Sequence, residues 1–289
     1  LVEQSEFQCA RLLLNRLRQR HWDKMTSRQR FRVAANTAST LMGDNRFSEA
    51  GRNLIEAADQ QPDDPSAQAF RAVGLEMLED TSAAYELAGK VLAQLPTSTM
   101  AAAVRIRTAP TEVRVAELRT ATRLANDAEV SGALAVRSLR EKDYDQGLAF
   151  ATSATQMRPD GPTGWLLLGQ VLLAREIEKL EKGTTPDQAF CRRSVQDAER
   201  HFTTAIEKAK GTQRSHPVLL DALVNRSKAR EILAPGTGTG DLEEAYHISP
   251  KDPEVLFKYA LQQDARGNSE EAVRLAREAS SSRFPNAKM

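Results

Sequence analysis

A spacing of 34 residues recurs along this chain and restricts the fold more than any single residue does. Ala50, Leu54, Ala57 and Pro62 are followed 34 places on by Ala84, Ala88, Val91 and Pro96. The same internal spacing returns at Gly147, Ala151, Ala154 and Pro159, just after Asp143-Tyr144-Asp145. A unit of that length holds two helices and a short turn, too little to enclose a core of its own. Each helix pair must therefore cover the apolar face of its neighbour, and the chain grows by stacking. The expected class is all-α: a right-handed α-solenoid of stacked antiparallel helix pairs.

The spacing divides the chain into a lead-in, residues 1–30, and an array, residues 31–289. Phe7, Ala10, Leu13, Leu14 and Leu17 stand three and four apart, an apolar stripe with arginines on the other side, which predicts a helix over 5–22. Thr26 or Ser27 is the expected N-cap of the next helix. Turns are expected at Gly43-Asp44-Asn45, where Gly and Asn tolerate left-handed backbone, at Glu79-Asp80-Thr81 and at Arg266-Gly267-Asn268. Between 99 and 127 the pattern weakens at Pro110, and a shortened pair is expected, with a helix from Thr111 burying Val113, Leu118, Leu124 and Ala125. Over 162–210 the second helix arrives 17 residues late, which predicts an extended pair turning at Gly183-Thr184-Thr185-Pro186-Asp187. Residues 219–250 are again irregular. There Gly236-Thr237-Gly238-Thr239-Gly240 follows a helix and lacks the Gly-Lys-Ser/Thr ending of a phosphate-binding loop, so a flexible linker is expected.

Composition narrows the functional classes. Aromatics make up only 5% of the chain, which suits helices built on Ala, Leu, Arg and Glu rather than strands. Mean hydropathy is −0.49 with 27% charged residues, so no segment is expected to span a bilayer. Net charge is +1, too small for a global field toward nucleic acid or membrane. Residues 1–32 are an exception, with eight Arg or Lys against three acidic residues, read here as a solvated helix face. Cys9 and Cys191 stand apart and outside any Cys-x-x-Cys pattern, as thiols of a reducing compartment do, and a cytoplasmic location is expected. Residue 1 is Leu, which is consistent with a piece of a longer protein. His21, His201, His216 and His247 are scattered without metal-ligand spacing, and no nucleophile and base can be assembled locally; no metal, cofactor or catalytic residue is expected. Glu176, Glu178 and Glu181 interleave with Lys179 and Lys182, which describes an exposed, salt-bridged helix.

These features resemble the tetratricopeptide repeat family. In the unit at Pro162, Trp165 takes the place of the large early residue, Leu168-Gly169 the Leu-Gly pair, and Ala198, Phe202 and Ala205 the small and aromatic set of the second helix. The units at Phe31 and Pro65 match at Ala50, Ala57 and Pro62 and at Ala84 and Pro96, with Thr37-Ala38 and Arg71-Ala72 replacing the Leu-Gly pair. The last unit matches through Ala260, Ala272 and Ala279. The resemblance implies a concave groove lined by the second, fifth, ninth and twelfth positions of each first helix. The candidate partner-binding residues are then Arg32, Ser39, Met42, Ala69, Val73, Val136, Leu139, Leu166, Gln170, Leu173 and Phe257. Chaperone-binding members grip a C-terminal carboxylate with Lys, Arg and Asn side chains; Arg32 alone offers that here, so that activity is not expected.

The expected function is a non-enzymatic protein-interaction scaffold binding an amphipathic or apolar peptide or protein segment, with nucleic acid and membrane not expected and self-association open through the terminal helices. The alternative is a sensor or regulatory solenoid segment of a larger enzyme or signalling NTPase.

Overall fold

A computed structural model describes residues 2–121, 124, 126–183, 188–210 and 216–281. Among the described residues there is no strand, and 15 α-helices follow one another with short turns. Two compact units divide at the Asp160/Gly161 junction. In the first, a single helix α1 (Val2–His21) precedes the pairs α2 (Ser27–Gly43) and α3 (Phe47–Asp59), α4 (Pro65–Met77) and α5 (Thr81–Gln94), α6 (Thr99–Thr108) and α7 (Val115–Ala121), and α8 (Ala128–Arg140) and α9 (Tyr144–Met157). The second holds α10 (Pro162–Glu181) and α11 (Gln188–Lys210), α12 (His216–Leu233) and α13 (Thr239–Ile248), and α14 (Pro253–Ala265) and α15 (Ser269–Ser281). Within each unit the two helices of most pairs pack on each other, and first helices also touch first helices: α4 on α6, α6 on α8, α10 on α12, α12 on α14.

Local chemistry starts these helices where the sequence suggests. Thr26 and Gln29 form a reciprocal capping box on α2, and Asp64, Asp80, Ser98, Asp127, Asp143 and Asp252 each accept a backbone N–H at the start of their helices. The turn inside the pair also repeats. Asn45, Glu79, Lys142 and Gly267 stand at equivalent places, and all four are left-handed, with φ of 58°, 64°, 60° and 82°. Glu79 and Lys142 take that conformation without the freedom of Gly or Asn, so the stacking of the flanking helices, not residue preference, sets the turn there.

Small residues let the helices approach closely. Ala50, Ala57, Ala84 and Ala88 are fully buried. Between α3 and α4 the approach reaches backbone contact: a Cβ on Gly51 would lie 2.7 Å from the Gly74 carbonyl oxygen, and one on Gly74 would lie 2.6 Å from that of Gly51. Each pair adds a thin, Ala-rich layer, and in the first unit the clusters of α2–α3, α4–α6 and α6–α8 join one another through half-buried Val73 and Leu92.

The irregular stretch at 99–127 has a physical anchor. Pro110 ends α6, and the next helix begins at Val115 rather than Thr111, because Arg137 of α8 claims the intervening backbone. The Arg137 side chain is 4% exposed; it donates to the carbonyls of Ala109, Pro110 (2.7 Å) and Val113 (2.9 Å) and pairs with Glu141 at 2.6 Å. Arg140 donates to the Arg107 carbonyl at 2.7 Å, so two arginines satisfy backbone that the broken helix leaves open. Val115 and Leu118 are buried, Val113 and Leu124 partly so, and Ala125 lies outside the described residues.

Two expectations fail in the second unit. The glycine-rich stretch is not a flexible linker. Glu231 accepts the N–H groups of Gly236 (2.8 Å) and Gly238 (3.0 Å), and Thr237 and Thr239 bond back to neighbouring carbonyls. Gly238 is buried so tightly that a Cβ would stand 2.4 Å from the Ser227 carbonyl oxygen. Nor is the acidic run on α10 uniformly exposed. Glu181 is exposed, but the Glu176 side chain is fully buried against α11. The extended pair at 162–210 is present, with Gly183 left-handed; Thr184 to Asp187 of its expected turn lie outside the described residues.

The N-terminal arginines are only partly a solvated face. Arg11 pairs with Asp44 and Arg18 with Glu56, while Arg18 and Arg30 lie over the Trp22 ring at 4.9 and 5.7 Å. No helix among the described residues is long and apolar enough to cross a membrane.

Candidate functional site

Except for α14, which is open more widely, the first helices are covered by their partner helices and neighbours, which leaves one narrow strip of each open. At the second position of the helix Arg32, Ser66, Glu129, Thr163 and Glu254 are all exposed, and at the ninth Ser39, Val73, Val136 and Gln170 are half-buried. The fifth and twelfth positions behave differently. Ala69, Leu166 and Leu173 are 3%, 5% and 3% exposed and belong to the cores. A helix advances about 100° per residue, so positions five and twelve are rotated by roughly 40–80° from two and nine. That rotation turns them toward the next helix pair. Glu76, a twelfth-position residue, shows the consequence: it takes Arg107 of α6 in a two-pronged ion pair at 2.6 and 2.8 Å. Met42 and Leu139 are half-buried on the same flank, and Phe257 is exposed.

The strip also includes residues that the repeat template missed. On α12, Asp221, Asn225, Lys228 and Ile232 stand three and four apart and reach solvent, whereas Leu219, Leu220, Ala222, Leu223, Val224, Ser227 and Ala229 around them are buried. The signal was present as polar residues at helical spacing in an apolar segment, hidden because residues 219–250 do not keep the 34-residue register.

The strip on the second unit carries unbalanced charge. Although Asp221 reaches solvent at the strip, partial desolvation of its carboxyl by the surrounding side chains, with Glu254 and Asp252 nearby, pushes it up to about 7. Burial likewise lowers the Lys228 ammonium, helped by Lys258, while Glu181 and Glu254 oppose the shift. In the folded protein Asp221 therefore holds its proton to higher pH than in the unfolded chain. Between about pH 4 and pH 7 the folded state binds more protons, so this group's contribution to stability falls as pH rises. Asp221→Asn is expected to raise the thermal midpoint at pH 8 and to leave it unchanged near pH 4. The side chain reaches water, so screening keeps the effect modest. Thermal melts of both proteins across that range would check it, and a gap that does not widen with pH would contradict it.

No protein-family model and no curated protein matches the chain by sequence. Solved structures do match. A chain of the APC/C hetero-tetramer Cut9–Hcn1 is similar over 89% of this chain and 47% of that one, with TM-score 0.59 and 18% identity. An IFIT1 monomeric mutant captured with Gppp-AAAA is similar over 87% of this chain and 58% of that one, with TM-score 0.65 and 14% identity. The chain has the tetratricopeptide-repeat fold. It spans about half the length of these solved chains.

Within this repeat fold, Glu176, Cys191 and His201 are engaged in structure. Burial opposes the charge on Glu176, but hydrogen bonds from Lys179 and Ser194, with Arg175 close by, outweigh it and hold the carboxyl below its usual range. Burial and the neighbouring Glu176 push the Cys191 thiol up, so it stays protonated at neutral pH and is a poor nucleophile. His201 lies against Trp165 with ring centroids 5.7 Å apart, and burial lowers its pKa. Among the described residues no group of three or more His, Cys, Asp or Glu is placed to hold a metal ion.

Proposed function

We propose that the protein is a non-enzymatic scaffold that binds a peptide or protein segment along the open strip of its first helices. The observation that supports this most is the strip itself. On α12 one line of residues, Asp221, Asn225, Lys228 and Ile232, reaches solvent beside buried apolar neighbours, and that line mixes polar and apolar groups. An extended or helical peptide running across successive first helices would meet one or two such residues per pair, the kind of surface on which a few anchors carry the affinity.

Charge favours a peptide over nucleic acid. IFIT1 is seen with Gppp-AAAA, but the strips here set Arg32 and Lys228 against Glu129, Asp221 and Glu254. A phosphate backbone needs a run of cations that these positions lack. Ala69, Leu166 and Leu173 support the strips from behind, so the residues proposed to touch a ligand are, in the first unit, Arg32, Ser39, Val73 and Val136 with Met42 and Leu139 at the edge, and, in the second unit taken by itself, Gln170 on α10 and Asp221, Asn225 and Lys228 on α12.

Peptides selected from a random display library on the immobilised protein would test the reading. Ser39→Arg, Ser66→Arg, Gln170→Arg and Asn225→Arg obstruct the strip without touching the core; Arg52→Glu and Lys90→Glu on second helices serve as controls. At least one strip variant is expected to weaken binding by about tenfold or more, as a blocked anchor does, with the controls unchanged. Peptides that bind all four strip variants normally, or that are lost on the controls, would place the ligand elsewhere.

A further inference from the structure

The three first helices of the second unit differ at one equivalent position. With Thr163, Asp221 and Glu254 aligned, the residue three places on is Leu166, Val224 and Phe257. Leu166 and Val224 are 5% and 8% exposed, sunk in the core that joins their pairs to the next, whereas Phe257 is 48% exposed. The second helices repeat the contrast. On α11, Glu199 meets Arg230 at 2.7 Å and Thr203 meets Arg226 at 3.2 Å, both on α12. Counting from the matching Ala198 and Ala272, the corresponding residues of α15 are Val273 and Arg277, and both are exposed. Phe257, Leu261 and Val273, at 48%, 54% and 49%, thus form the flank that a further helix pair would cover.

We propose that this flank is the contact of a two-fold dimer and that its occupant is a second copy of the chain. The charges around it are complementary to themselves. Glu270 and Arg277 lie on one face of α15, two turns apart, with Val273 between them. If two α15 helices pack antiparallel about an axis passing near Val273 and Arg274, each Glu270 faces Arg277 of the partner subunit. The exposed apolar side chains are then buried at the centre. A two-fold contact requires that kind of pattern, since one patch must fit its own copy. A basic partner would meet Arg277 and an acidic one Glu270, each with one repulsive contact.

Sedimentation velocity and light scattering over a concentration series of the 289-residue chain would test this. The wild type is expected to be a dimer that dissociates on dilution. Val273→Glu is expected to raise the dissociation constant by at least about 30-fold, the loss typical of a central anchor. Because Val273 is half in solvent, its helical content and melting should be unchanged. Glu270→Arg and Arg277→Glu each set like charges against one another and should weaken the dimer, while the double variant should restore it to within about threefold of wild type. A wild type that stays monomeric at every concentration, a dimer indifferent to Val273→Glu, or a double variant no better than the singles would overturn the proposal.

Discussion

Asp241→Ala is expected to destabilise the second unit by about 3–5 kcal/mol, the cost of leaving a buried cation without its partner. The Asp241 side chain is 4% exposed and takes Arg226 in a two-pronged pair at 2.6 and 3.0 Å, with Arg230 added at 3.1 Å. Arg230 also reaches Glu199 of α11 at 2.7 Å, so one carboxylate ties α13 to α12 and, through the arginines, to α11. Removing it leaves Arg226, whose side chain is 12% exposed, with the Thr203 hydroxyl but without its counter-charge. Replacing both partners with apolar residues, Arg226→Met with Asp241→Leu, should recover most of the loss, because the desolvation cost disappears with the charges. Urea unfolding followed by helical circular dichroism would measure both. A loss below about 1 kcal/mol for Asp241→Ala would mean that the network is solvated and behaves as a surface pair.

The second large effect is expected at Phe202, the largest of the fully buried side chains. Its ring lies where a Cβ on Gly169 would come within 2.5 Å, so the absence of a side chain at 169 makes the space that the ring fills. Phe202→Ala should cost about 3–5 kcal/mol through lost transfer energy and the cavity left behind. Gly169→Ala should also destabilise, because the ring must move. The two changes are not independent. In the double variant the added methyl meets a cavity instead of a ring, so the Gly169→Ala penalty should shrink or reverse. A double-mutant cycle in urea would read this directly, and strict additivity would show that the two residues do not share a space.

Much of the fold was legible because stacking writes itself into small residues. Ala50, Ala84 and Gly147 recur at one place, where a neighbouring helix passes close, and Gly169 with Phe202 reveals the same constraint as a pair. The turns at Asn45, Glu79 and Gly267 were legible, but the left-handed backbone at Glu79 and Lys142 was not, because packing there overrides residue preference. What the sequence could not convey was the fate of polar residues. Arg137, Glu176 and Asp241 look like surface charges in one dimension, yet each is buried: Arg137 against the carbonyls between α6 and α7, Asp241 against Arg226 of α12, and Glu176 beneath α11 with Lys179 of its own helix as its partner. Which residues line the proposed strip was half legible for a related reason. The second and ninth positions face outward as expected, but the fifth and twelfth turn toward the next pair, and a template that lists all four does not separate lining from interface. The strip on α12 was missed because it lies outside the register, although its helical spacing was plain.

The most direct test of the scaffold reading is hydroxyl-radical footprinting of the protein with a selected peptide bound. The account predicts protection along the first helices, at Met42, Val73, Val136 and Leu139 in the first unit or at Ile232 in the second, with the outward side chains of α3, α5, α9 and α11 oxidised as in the free protein. Protection confined to those second helices, with the open strip oxidised equally in both states, would contradict it.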